Sequence, residues 1–367
     1  MKRKIRVGIL FGGKSAEHEI SLQSAKNVAQ AIDRKKYEIA LIGIDKDGRW
    51  YLDDAARLLL YSGRQLPSLS SLGATKTAVT LVPQRTAVQL LRLKGRRHGT
   101  PLDVIFPVLH GSFGEDGTVQ GLLKLANVPF VGASVLGSAL GMDKDVMKRL
   151  LREAEIPTAR FLSFHQSQSR EIDFGEIVKK LGLPLFVKPA NLGSSVGIHK
   201  VRNSRQFSPA VKDAFRYDLK ILVEEAIQGR EIECSVLGND DPIASLPGEI
   251  LPRHEFYSYE AKYLDENGAL LKIPAKLPPK VAKKIQQTAV QAFKVLCCEG
   301  MARVDFFLRG DREVIVNEIN TIPGFTKISM YPKLWEASGI PYAELIDRLI
   351  QLALERFNRE AKLTTSL

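Results

Sequence analysis

Apolar residues dominate 5–11, stop at Gly12-Gly13, return with helical spacing over 21–32, and dominate again over 37–44. Two buried strands flanking an amphipathic helix predict a βαβ opening and hence a parallel sheet. A third run, 103–109, leads through the small and acidic loop His110-Gly-Ser-Phe-Gly-Glu-Asp-Gly117 into a helix near 119–126. A short strand over 127–132 and a helix over 142–154 follow. Residues 58–100 mix Ser, Gly, Pro and Arg with short apolar pieces and read as an elaboration of the first unit. The next strand carries Phe186-Val-Lys-Pro189 and ends in the loop 191–197. Another at 219–225 opens a larger unit, with alternating strands over 231–237, 301–309 and 313–320 and helices over 280–296 and 342–357. The pattern predicts an α/β and α+β protein of three parts, 1–140, 141–220 and 221–367. A chain of 367 residues exceeds what one core usually organises.

Composition is ordinary for a globular chain, with 44% hydrophobic and 26% charged residues. Lys and Arg outnumber Asp and Glu by 53 to 41, but the basic residues are scattered. The densest group, Arg92, Lys94, Arg96 and Arg97, lacks the interleaved aromatics of a single-strand nucleic-acid binder. No nucleic-acid partner is expected. The apolar run after Met1-Lys-Arg-Lys is too short for an export signal, and no run has a membrane span's length, so cytoplasmic work away from membranes is expected. Cys234, Cys297 and Cys298 read as buried reduced thiols.

Gly8-Ile-Leu-Phe-Gly-Gly13-Lys14-Ser15 spells a P-loop, yet its first glycine falls inside a strand and Ile, Leu and Phe occupy positions that should wrap phosphate. A P-loop kinase is therefore disfavoured. The loop 191–197 follows a strand presenting Lys188, and its two glycines and two serines offer backbone and hydroxyl donors to phosphate. A plain Gly-Ser turn is the alternative.

The strands 301–309 and 313–320 are joined around Gly310-Asp311, and a two-residue turn there sets 303 opposite 318. Arg303, Asp305, Glu318 and Asn320 then share one face. That face is either a hard-oxygen Mg²⁺ site or a solvated charged face with an Arg–Glu pair. The apolar neighbours Val304, Phe306, Val314, Ile315 and Ile319 favour the first.

In order along the chain, a strand lysine, a Gly-Ser loop, a Glu-Glu pair and an Asp…Glu-x-Asn hairpin resemble the ATP-grasp superfamily. The segments Gly12-Gly13-x-Ser15-x-Glu17, His110-Gly-x-x-Gly-Glu-Asp-Gly117, Met142-Asp-Lys144, Gly193-Ser-Ser-Val-Gly197, Glu260-Ala-Lys-Tyr263 and Asn320-Thr-x-Pro-Gly324 resemble D-alanine–D-alanine ligases more closely. The resemblance implies an N-terminal parallel α/β (pre-ATP-grasp) domain followed by a two-part ATP-grasp fold. It implies ligation of two D-alanines through an acyl phosphate, with ATP and two Mg²⁺ ions, Mn²⁺ substituting, for peptidoglycan precursor synthesis by a homodimer.

Carried over residue by residue, the resemblance assigns Lys144, Lys188, Ser194 and Ser195 to the nucleotide phosphates. It puts Glu224, Glu225, Ala226 and Ile227 around adenine, Glu231 on ribose, and Lys262 on the transferred phosphate. Asp305, Glu318 and Asn320 would hold the metal. Glu17 and His110 would take the first D-alanine, and Arg303 and the Gly324 backbone the tetrahedral charge. Ser329 and Met330 would take the second carboxylate, and Ser194, bonded to Glu17 and Tyr263, would anchor a closing loop. A D-Ala–D-Ser or depsipeptide ligase of this fold, and a non-catalytic ATP-grasp-like binding protein, are the competing functions.

Overall fold

The protein is described by a computed structural model covering residues 3–52, 54–61, 78–82, 90–92, 101–252 and 269–364. Strand β1 (Ile5–Gly12), helix α1 (His18–Ala31) and strand β2 (Tyr37–Ile44) form the expected βαβ unit, the helix starting a turn earlier than its apolar spacing suggests. Strand β3 (Trp50–Leu52) leads into helix α2 (Asp54–Tyr61). Within the 58–100 stretch, β4 (Val79–Leu81) and β5 (Leu90–Arg92) make a separate antiparallel pair. Strand β6 (Val104–Pro107) completes the first sheet in the order β3-β2-β1-β6, with β1 parallel to both β2 and β6.

Helices α3 (Thr118–Leu125), α4 (Val135–Met142) and α5 (Lys144–Glu153) lead out of this unit. Two expectations change here. The strand over 127–132 is reduced to one bridge between Ile105 and Phe130, because Pro129 has no N–H for a ladder and Gly132 turns the chain at φ 95°. The helix expected over 142–154 is α5, and an unexpected helix, α4, precedes it and ends at Met142, with Asp143 between them. Its carboxylate accepts hydrogen bonds from the N–H groups of Asp145 and Val146, capping α5.

The second sheet contains β7 (Phe161–His165), β8 (Leu185–Pro189), β9 (His199–Val201) and β10 (Lys220–Glu225), in the antiparallel order β7-β10-β8-β9. Helices α6 (Phe174–Leu181) and α7 (Ser204–Ala214) cover one face, packing with Leu185, Val187, Ile221 and Val223. By the period of two, Phe186, Lys188 and Glu224 point to the other face. The strand expected to open the third unit pairs with β7 and β8 and belongs to this sheet.

The third sheet runs β14-β13-β11-β15-β16 in space, built from β11 (Arg230–Gly238), β13 (Gly248–Pro252), β14 (Ala269–Lys272), β15 (Gly300–Arg309) and β16 (Glu313–Asn320). A short β12 (Ile243–Ala244) pairs with β11. The helix Pro279–Val295 packs on the face carrying Ile232, Cys234, Val304 and Phe306, leaving Glu233, Arg303 and Asp305 on the opposite face.

The hairpin register differs from a two-residue turn, and the difference cancels. Arg309 pairs with Glu313 across a three-residue connection, which alone would turn Glu318 and Asn320 away from Asp305. A bulge then adds one residue: Phe306 pairs with Val316, but Asp305 pairs with Glu318, so Asn317 is the extra one. Two odd shifts make an even one. Arg303, Asp305, Glu318 and Asn320 share a face, with the pairs Arg303↔Asn320 and Asp305↔Glu318.

Helix Met330–Ala337 precedes the long helix Tyr342–Glu360. The latter sends Leu345, Leu349, Ile350 and Ala353 into the same core as Val7, Ile9 and Phe11 of β1. Its Arg356, almost wholly buried, donates to the carbonyls of Phe130 and Gly132 and lies over the Phe130 ring at 4.6 Å. Among the described residues no helix is long and apolar enough to cross a membrane. All three cysteines are free, Cys234 and Cys298 buried as expected. Cys297 is exposed, at the turn that follows helix Pro279–Val295.

Candidate active site

A cleft of about 270 Å³ opens between the second and third sheets. Its walls include Lys144, Lys188, Ser194 and Ser195 on one side and Asp305 and Glu318 on another. Glu224, Glu225, Ala226, Ile227 and Glu231 line it as well. Lys262 and Tyr263 lie outside the described residues.

The loop 191–197 is held from three directions. Asp218 accepts from the Asn191 backbone N–H at 2.7 Å and from its side-chain amide at 3.0 Å. Lys144, the first residue after the Asp143 break, donates to the Leu192 carbonyl at 2.7 Å. Ser194 donates to the Glu17 carboxylate, joining the first unit to the loop. Ser194 and Ser195 both sit in the left-handed region, at φ 53° and 60°. Consecutive non-glycine residues there carry strain, which clusters where a loop is shaped for a ligand.

Behind this loop lies a buried cation cluster. The Glu224 carboxylate meets Lys188 Nζ at 2.7 Å through one oxygen and Lys148 Nζ at 3.2 Å through the other. Burial alone would push the Glu224 carboxyl up, but the two ammonium groups hold it below the usual range. Burial lowers Lys144, with Glu318 at 3.7 Å opposing and Lys188 adding to the lowering. Lys148 was missed in the sequence, though a signal existed. Lys144 and Lys148 stand four apart on one helix, an unfavourable like-charge spacing unless an anion lies beside them. Glu224, assigned to adenine by resemblance, spends its carboxylate on these lysines.

On the facing sheet, Glu233, Asp305 and Glu318 form a cross-strand acidic row. Arg303 makes a two-pronged contact with Asp305, both distances 2.7 Å, and its Nε lies 2.8 Å from Glu233. The Asn320 amide donates to Asp305 at 3.0 Å. Among the described residues no three His, Cys, Asp or Glu side chains converge at ligand spacing. Two carboxylates and an amide, all oxygen donors on one face and balanced by Arg303 and Lys144, still fit a hard cation that keeps most of its positions for water and phosphate. Glu233, also unforeseen, gives Arg303 a second counter-ion.

Glu17 adjoins the phosphate-side loop through Ser194, whereas His110, Gly324, Ser329 and Met330 lie outside the cleft lining. Glu17 is buried below the β1 turn, where Gly12 has φ 92° and a side-chain carbon would stand 2.1 Å from the Ile44 carbonyl. His110 is buried, with Nε2 3.0 Å from Ser24 Oγ and Nδ1 3.1 Å from the Ile322 carbonyl. Burial disfavours its charge, but Glu115 and Glu17 outweigh that and raise its affinity for a proton. Ser329 begins helix Met330–Ala337, with Oγ accepting from the Thr326 N–H at 3.0 Å. A side-chain carbon on Gly324 would stand 2.7 Å from that Oγ. Met330 packs its side chain with Ile250 and Leu334, so only its backbone is placed to meet a carboxylate.

The Gly13-Lys14-Ser15 turn has no phosphate cradle. Gly13 N–H bonds the Ile44 carbonyl, Ser15 Oγ the His110 carbonyl, and Lys14 extends beside Gly48.

Comparison with known proteins decides the family. A family model described as D-ala D-ala ligase N-terminus matches residues 6–133, and one described as D-ala D-ala ligase C-terminus matches 150–351. A D-alanine–D-alanine ligase of Oceanobacillus iheyensis is 56% identical over 366 residues, covering 100% of this chain and 99% of that one. This chain belongs to the D-alanine–D-alanine ligase family. Among solved structures of the family, the enzyme from Coxiella burnetii superposes with a TM-score of 0.85 at 44% identity, covering 98% of this chain and 96% of its own. That from Bacillus anthracis complexed with ATP does so at 0.72 and 26%, covering 97% and 99%. The ATP-grasp architecture read from the sequence is that of these family members.

Proposed function

We propose that this chain joins two D-alanines to D-alanyl-D-alanine at the expense of ATP, supplying peptidoglycan precursor. One observation carries the reading: Lys144, Lys188 and the Asp305–Glu318 pair line a single cleft whose loop is bonded through Ser194 to Glu17. Cations on one wall and oxygen donors on the other suit a polyphosphate, and the Ser194–Glu17 contact puts a carboxylate for an ammonium group beside the phosphate end.

In this reading Lys144 and Lys188 take the phosphates, while the apolar and backbone surface at Ala226 and Ile227 takes adenine and Glu231 the ribose. Asp305, Glu318 and Asn320 would hold two Mg²⁺ ions, or Mn²⁺, which when bound offset phosphate charge and align the γ-phosphoryl group. The first D-alanine is held by its ammonium on Glu17 near His110. Its carboxylate oxygen attacks the γ-phosphorus, the bond to the bridging oxygen breaks, and ADP leaves. The second D-alanine, its carboxylate at Ser329 and the Met330 backbone, releases an ammonium proton to solvent; its free amine attacks the acyl carbon, the C–O bond to the phosphoryl group breaks, and inorganic phosphate leaves with that oxygen and the remaining displaced proton. Arg303 and the Gly324 N–H stabilise the tetrahedral oxyanion between those events. Lys262 at the transferred phosphate and Tyr263 beside Ser194, both outside the described residues, complete the set that the family resemblance implies. The three parts expected at 1–140, 141–220 and 221–367, with the second extended through β10 to Glu225, working as a cytoplasmic homodimer, complete the proposal.

A phosphate-release screen with ATP, Mg²⁺ and single D- and L-amino acids tests it. Turnover is expected with D-alanine alone, with the dipeptide as product. Preference for D-serine or D-lactate as second substrate would overturn the assignment of product. Nucleotide binding without turnover on any amino acid would make the chain a binding protein.

A further inference from the structure

We propose that Lys148, which does not line the cleft, sets the net charge of the phosphate-facing cluster and is thereby a positioning residue for nucleotide binding. This rests on the reading that the cleft takes a nucleotide by its phosphates.

The charges can be counted from the geometry. Glu224 and Lys188 alone form a neutral pair at 2.7 Å, leaving the lysine on the cleft wall with no charge in excess. Lys148, fully buried, meets the second Glu224 oxygen at 3.2 Å and makes the trio cationic by one. The nearby Lys144 is partly balanced by Glu318 at 3.7 Å, so it does not supply that excess by itself. The five groups come from four packed elements: Glu224 from β10, Lys188 from β8, Glu318 from β16, and Lys144 and Lys148 from α5. The cluster is nearly dry, with Lys148, Lys188 and Glu224 all below a tenth exposed, so one charge acts over several ångströms with little screening. Removing Lys148 also strands a buried carboxylate oxygen next to the phosphate site, where it would repel an incoming anion.

Burial brings Lys148 down to about 8, Glu224 partly opposing and Lys188 reinforcing the shift, so the excess charge can itself be titrated.

Binding of ADP and of adenosine to the full chain, measured by calorimetry for wild type, Lys148→Met, Lys148→Arg and the double variant Lys148→Met/Glu224→Gln, tests the idea. Lys148→Met should weaken ADP about tenfold or more, the effect expected of one charge at an effective dielectric near 20, while adenosine, which carries no phosphate, is little changed. Lys148→Arg should keep most of the ADP affinity. The double variant removes one cation and one anion, restores the excess of one, and should recover much of the loss. The inference fails if Lys148→Met binds ADP like wild type, or if it loses ADP and adenosine equally with no recovery in the double variant. Wild type binding neither compound would overturn the nucleotide reading of the cleft, and this inference with it.

Discussion

Two loops in this molecule follow a β-strand with glycine, serine and a nearby lysine, and they do opposite things. The turn after β1 consumes its own donors: Gly13 N–H and Ser15 Oγ bond backbone carbonyls, and Lys14 is exposed. The loop after β8 has the strained pair Ser194-Ser195 over a cleft wall built on Lys144, Lys188 and Glu224. Similar letters thus give a structural corner in one place and, in the other, the loop proposed to cradle a ligand. The deciding factor is what lies beside each loop: backbone carbonyls that take up its donors at the first, and a cleft wall bearing Lys144 and Lys188 at the second.

The largest expected effect separates the two lysines. Lys188→Ala should lower kcat/KM for ATP by about 10²–10³-fold, as should Asp305→Asn, whereas Lys14→Ala should leave ADP release close to wild type. A reversed outcome would restore the phosphate role to the first turn. Next, Ser194→Ala removes the hydrogen bond that joins the loops. A loss of about 1–3 kcal/mol, read as a raised KM for D-alanine, is the expected cost of leaving the buried Glu17 short of a donor. An unchanged KM would show that the contact is not part of the substrate site. Gly12→Ala should instead cost about 1–3 kcal/mol of stability, seen as a lower Tm, because φ 92° and the Ile44 carbonyl leave no room for a side chain. Damage in the first loop then appears as unfolding and in the second as lost affinity. The smallest effect is in pH. Binding an anion favours the charged form of Lys148, so ADP affinity should be highest below about 8 and decline as pH rises through that value, with a flatter profile in Lys148→Met.

How much was legible in the sequence follows from which interactions are local. The βαβ opening and the oxygen face of the hairpin were readable because alternation and helical spacing are local patterns. Even the wrong turn length left the face right, since the bulge at Asn317 restores parity. Helix α4 went unread because Val135–Met142 is short and carries two glycines, whereas α5 was readable and Asp143 is a recognised cap for it. The placement of β10 in the second sheet was not visible, because pairing partners are set by long-range contacts. Lys148 and Glu233 went unnoticed because their importance lies in partners 76 residues away and one strand over, respectively. The identity of the amino acid was never readable from spacing and came through family membership.

The helix Tyr342–Glu360 carries a consequence for the order of biosynthesis. Val7, Ile9 and Phe11 are made well before Leu345, Leu349, Ile350 and Ala353, which share their core from the far side of the sequence. While the residues between them are made, the opening sheet lacks part of its cover, and its core closes only once the helix Tyr342–Glu360 has been synthesised.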